Sequence, residues 1–114
     1  MNDIRFVVSP RIMGEEKFFG PGIAVLLHRV DAYHSIRQAT MSMGMAYTKA
    51  LKILSNAENA LGFSLTTRAI GGKSGGGSCL TPEGKEFLTR YESYREACFQ
   101  ANSKLYLEFF PEQQ

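Results

Sequence analysis

Thr81-Pro82-Glu83 and Pro111 bracket a stretch of this 114-residue chain in which nothing breaks a helix. Thr81 can cap it, proline suits a first helical position, and Glu83 stands near the positive end of the helix dipole. The helix expected over 82–110 is on the order of 43 Å long at about 1.5 Å per residue. Phe87, Tyr91, Tyr94, Cys98, Ala101 and Leu105 recur along it at spacings that alternate between four and three, which is a heptad seam. A chain of this length makes one domain, 1–114, whose body is too small to bury such a seam alone. The seam therefore predicts a homodimer, and packing back on the first helix is the other reading.

Upstream, Ile4-Arg5-Phe6-Val7-Val8 is β-branched and aromatic and stops at Ser9-Pro10. With a second extended piece around Lys17-Phe18-Phe19 it predicts an N-terminal β-hairpin. Pro21 suits the start of a helix in which Ile23, Leu26, Leu27 and Val30 fall at i, i+3, i+4 and i+7. Ser35 can cap a short second helix, with backbone donors at Arg37 and Gln38, before Gly44 ends it. Met41, Met43 and Met45 read as core filler.

A third helix comes soon after Gly44. At 100° per residue Ala46, Ala50, Ile53, Leu54, Ala57 and Leu61 fall on one arc, and Thr48, Lys52, Ser55 and Asn59 line the opposite side. Small alanines on the buried arc let the helix sit close to its neighbour. Two helices joined at a glycine, the second with a basic, amide-rich outer face, have helix-turn-helix character over 35–61.

Gly62 ends the third helix, 63–70 reads as a strand, and five glycines crowd the positions from Gly71 to Gly77 before a short strand at 78–80. Gly72-Lys73-Ser74 has the end of a phosphate-binding loop, but its first glycine would have to stand where Thr67 does. Such a loop also needs a helix immediately afterwards, and here a strand comes next. No G-x-G-x-x-G fits either, because Leu80 occupies the last position it would need. The stretch is instead the tip of a pliable β-hairpin, and a hairpin at 65–81 after a helix-turn-helix makes a winged helix. The expected fold is mainly α with small β: a winged helix-turn-helix with an N-terminal β-hairpin and a long C-terminal dimerisation helix.

The net charge of +2 is unevenly spread. Arg37, Lys49, Lys52, Arg68 and Lys73 face Glu58 alone between positions 36 and 73, whereas from Tyr91 onward acids outnumber bases. A basic middle and an acidic end suit a polyanion that touches one face. Cys79 and Cys98 lack a CxxC, and His28 and His34 are six apart, so two reduced, mostly buried thiols and no metal or cofactor are expected. No paired nucleophile and base suggests an enzyme. The longest uncharged apolar run, Ile23–Leu27, is too short to cross a bilayer, and the first residues lack the order of a signal peptide, which favours the cytoplasm.

Several of these motifs resemble one family. Ser35-Ile36 with Gln38-Ala39, Gly44-Met45-Ala46-Tyr47, the run from Arg68 to Gly77, and Leu80-Thr81-Pro82-Glu83-Gly84 are similar to the N-terminal domain of ModE-type molybdate-responsive regulators. That domain is a relative of the LysR-type winged helix, whose Leu-Glu-x-x-Leu-Gly pattern is partly echoed from Ala57 to Gly62. Ala46 and Leu51 stand where the family usually has Ser and Trp. The resemblance covers nearly the whole chain, and nothing in it matches the family's C-terminal oxyanion-binding module. It implies a homodimeric transcription factor acting on double-stranded DNA, with 45–61 as reader helix, 66–80 as wing, and Tyr47, Thr48 and Lys49 as DNA contacts. It names no small-molecule effector for this chain.

The readings combine into a dimer whose reader helices enter successive major grooves. Tyr47, Thr48, Lys49, Lys52 and Ser55 would face the groove, while Arg37, Arg68 and Lys73 hold phosphates. Tyr47 has a second reading, packing on the helix before it. The rival function is a winged-helix module that dimerises and binds another regulator rather than DNA.

Overall fold

The computed structural model describes residues 4–68 and 77–113. Its elements run β1 (Ile12–Met13), β2 (Lys17–Phe19), α1 (Pro21–Tyr33), α2 (Ile36–Ser42), α3 (Tyr47–Leu61), β3 (Thr66–Arg68), β4 (Ser78–Leu80) and α4 (Pro82–Phe109), with a 3-10 turn at Pro111–Gln113. β1 pairs antiparallel with β2, and β3 with β4. The fold is mainly helical, with a small β-hairpin near the N-terminus and a long C-terminal helix.

α1 is the centre of the core. Ile23, Leu26, Leu27 and Val30 are all buried, as their spacing dictates, and each contributes about 1.5–3 kcal/mol by leaving water. Phe19, Ile36, Ala39, Leu54, Leu65, Leu80 and Leu88 close round them. Local signals set the helix ends. Pro21 opens α1, the Ser35 hydroxyl accepts from Gln38 N at 3.0 Å, and the Thr81 hydroxyl accepts from Gly84 N at 2.8 Å. Gly44 and Gly62 take left-handed φ of 64° and 83°, where a Cβ would be strained.

The turn between α2 and α3 hangs on Thr40, whose carbonyl accepts from both Met43 N and Met45 N. Arg29 reaches from α1 to the end of α2 and donates to the Ser42 carbonyl and hydroxyl, each at 2.9 Å. Glu58 anchors the chain beyond α3: its carboxylate accepts from Leu65 N at 2.7 Å and fixes the backbone where it turns into β3.

Four expectations change. Ile4–Val8 is not a strand; the two-residue β1 pairs with β2 instead. Residues 4–10 run along α4, with Phe6 stacked 5.2 Å from Phe99 and 5.3 Å from Tyr106. The Tyr106 hydroxyl donates to the Ile4 carbonyl and the Tyr91 hydroxyl to that of Pro10. Aromatic side chains of a helix hold this segment without any strand partner, half-burying Phe6 and Val8 and leaving Ile4 and Val7 exposed. Second, Ala46 lies outside α3 as its exposed N-cap, and Ile53 and Leu61 are only half-buried, so Ala50, Leu54 and Ala57 carry the buried arc. Third, Met41 is 74% exposed, because it projects from the outer side of α2. Fourth, Cys79 is exposed and Cys98 half-buried; both are free thiols.

No side chain caps α3, although Ala46 already has the extended backbone of an N-cap, φ −66° and ψ 137°. Ala46→Ser supplies the missing acceptor and is expected to raise stability by about 1 kcal/mol, read as a higher midpoint in urea unfolding. An unchanged midpoint would mean that the first turn of α3 is already satisfied by another group.

Candidate nucleic-acid interface

Burial of one face of α3 leaves the other free by geometry. Ala50, Leu54 and Ala57 recur at spacings of four and three and lie in the core, so Thr48, Lys49, Lys52 and Ser55 come out together on the exposed side. Asn56 and Asn59 extend that side towards the C-terminal end of α3. Asn56 was legible on the helical wheel one step round from Lys52, but its short amide gave no stronger signal than its neighbours. Among the described residues none of Arg37, Lys49 and Lys52 makes an ion pair, so their charge is available to a ligand.

Arg37 joins this face from α2. Its guanidinium lies 4.4 Å from the ring centroid of Tyr47, the first residue of α3, in a cation–π contact worth about 0.5–1 kcal/mol at an exposed site. Tyr47 is half-buried and packs against the core, so its ring is a platform that holds Arg37. The packing reading of Tyr47 therefore describes where the ring goes.

The second hairpin sits beside the helix-turn-helix. Thr66, Thr67 and Arg68 pair with Leu80, Cys79 and Ser78. Ser78 N donates to the His34 carbonyl at 2.9 Å, which ties the root of this hairpin to the α1–α2 corner. Arg68 is placed on β3 by its backbone; Lys73 lies outside the described residues. The first hairpin bounds the other end: Glu15 and Glu16 share a cavity of about 460 Å³ with Asn56, Asn59 and Ala60. Two acids and one base, Lys17, thus stand beside the C-terminal end of α3, and the more cationic part of the face is its N-terminal half with Arg37.

The expected seam on α4 divides. Tyr91 is 2% exposed, its ring 4.9 Å from Phe19, so this chain spends it on its own core. Phe87 is half-buried between Phe19 and Phe63. Beyond them Phe6 of the 4–10 segment stacks on Phe99 and Tyr106 along one flank, while on the other Tyr94, Ala101 and Leu105 are exposed and Cys98 is half-buried. Tyr94 and Leu105 are about half exposed, and α4 accounts for much of the 60 Å long axis of the molecule. No helix among the described residues is long and apolar enough to cross a membrane.

No family model matches the chain. Over 66 residues it is 35% identical to the molybdenum-pterin-binding protein MopB of Rhodobacter capsulatus, an alignment that covers 58% of this chain and 24% of that protein. The chain thus matches less than a quarter of the length of that relative. The likeness supports a relation to the ModE-type molybdate group that the motifs resemble.

Proposed function

We propose that this chain is a winged helix-turn-helix regulator that binds double-stranded DNA as a homodimer in the cytoplasm and performs no catalysis. The observation that carries this reading is the exposed face of α3, where Thr48, Lys49, Lys52 and Ser55 stand beside Arg37 with no ion pair among the described residues, while the opposite face is locked into the core. A helix fits the major groove of B-DNA, hydroxyls and lysine reach base edges, and Arg37 and Arg68 hold the phosphates. Two such helices about 34 Å apart would read an inverted repeat. The open flank of α4, with Tyr94, Ala101 and Leu105, is the surface on which the second copy packs. A role in molybdenum metabolism is supported by the likeness to a molybdenum-pterin-binding protein.

The test is fluorescence anisotropy of a labelled fragment from upstream of the gene against random duplex at several salt concentrations. Tight, salt-sensitive binding to the upstream fragment is expected. Lys52→Ala should weaken it about tenfold and relax the preference over random duplex, whereas Arg37→Ala should weaken both duplexes alike and lower the log–log salt slope by about 0.9, each without change in oligomeric state. Absence of binding to either duplex in low salt would favour the interaction module instead.

A further inference from the structure

Among the described residues His34 is the only non-glycine with a left-handed backbone, at φ 56° and ψ 33°. The corner demands that conformation. His34 N closes α1 on the Val30 carbonyl at 2.8 Å, and the His34 carbonyl then accepts from Ser78 N at 2.9 Å. Neither bond needs a side chain, and glycine would adopt the same φ without the strain that a Cβ brings. The imidazole is exposed and makes no hydrogen bond among the described residues, so packing does not explain it.

Its place does. His34 precedes Ser35, the cap of α2, and lies three residues before Arg37, which joins the cationic face. Across the corner its carbonyl holds Ser78, whose partner on β3 is Arg68. The charged and titratable residues nearest along the chain are Asp31 and Tyr33 on α1 and Arg37 on α2, and the backbone pairing with Ser78 brings the β3 position of Arg68 to the same corner. His34 thus links, through the chain to α2 and through its bond to Ser78, the two backbone elements that carry the arginines assigned to the DNA backbone.

We infer that His34 is a phosphate contact whose imidazolium form bridges Arg37 and the hairpin root, so that DNA binding takes up a proton. This rests on the DNA-binding reading above. The strain is retained because the side chain works on a ligand rather than on the fold. His28, the other of the two histidines, is held 2.8 Å from Glu92 between α1 and α4 and serves as an internal control.

The experiment measures binding of a labelled mixed-sequence duplex to the wild type, His34→Asn, His34→Gly and His28→Asn at about pH 6 and about pH 8, between which histidine ordinarily changes charge. The wild type should bind roughly fivefold tighter at the lower pH, and its log–log salt slope there should exceed that of both His34 variants by about 0.9, one phosphate. His28→Asn should keep both properties. Asparagine tolerates the left-handed region and glycine is unstrained there, so both His34 variants fold, and His34→Gly should melt at or above the wild-type temperature. A His34→Asn variant with the wild-type pH response and salt slope would overturn the assignment while leaving DNA binding intact. A wild type that binds no duplex in low salt at either pH would overturn the DNA reading itself, and this inference with it.

Discussion

Gly84→Ala is expected to destabilise the domain by about 3 kcal/mol, although the same change in the interior of an ordinary helix gains about 1 kcal/mol. Gly84 is buried in the first turn of α4, where a Cβ would run into the carbonyl oxygen of Leu65 and come within 3.0 Å of the Thr81 hydroxyl. That carbonyl cannot retreat. It accepts from Thr81 N at 3.0 Å, and the Leu65 N–H on the same residue is held by Glu58. Alanine at 84 therefore forces α4 away from the start of β3, which carries the buried Leu65 with it. The check is the urea midpoint of the variant. A midpoint at or above the wild-type value would show that α4 does not approach β3 this closely. The Leu-Thr-x-x-Gly pattern seen in the sequence thus has a steric reason: the threonine caps the helix, and the glycine lets the capped turn lie on the neighbouring backbone.

Tyr91 makes the second large effect. Tyr91→Ala is expected to cost about 4 kcal/mol, because the ring fills the space between Phe19 and α4 and leaves a cavity when removed. Tyr91→Phe keeps the ring and should cost about 1 kcal/mol, since the Pro10 carbonyl loses its donor at 2.8 Å. Burial pushes the phenol above its ordinary value of 10.0, partly offset by the charge of Arg95. A group with a raised folded pKa adds stability below its unfolded pKa and loses it as pH rises through the folded one. The wild type should therefore lose stability above about pH 10 by a component that Tyr91→Phe lacks. Both variants should keep the oligomeric state of the wild type in sedimentation, because the ring points into its own chain. Dissociation of Tyr91→Phe at unchanged stability would return Tyr91 to an interface.

The heptad spacing on α4 could not make that distinction. Phe87, Tyr91, Tyr94, Cys98, Ala101 and Leu105 share one stripe, and a stripe records which face is apolar without recording what covers it. Along its length the cover changes from the core of the domain at Phe87 and Tyr91 to open surface at Tyr94 and Leu105. The exposed face of α3 was more legible. Once alanines and leucines at helical spacing identify the buried side of α3, Thr48, Lys49, Lys52 and Ser55 must point outward. The contact between Arg37 and Tyr47 was not, because it depends on the path of the chain between Ser42 and Tyr47.

The sequence by itself determined the helices and where they stop. Hydrogen bonds of a helix close within four residues, so Ser35, Gly44, Gly62, Thr81 and Pro82 act on their own neighbours and can be read without knowing the rest of the fold. Tertiary structure decided what a strand-like segment pairs with. Ile4 to Val8 have the composition of a strand, but an extended backbone takes its partners from elsewhere in the chain, and here Ile4 and Phe6 find them on the aromatic flank of α4 about a hundred residues away. It likewise decided the backbone of His34. Its left-handed turn satisfies Val30 on one side and Ser78 on the other, and the second of these bonds exists only once β4 has come back beside α1.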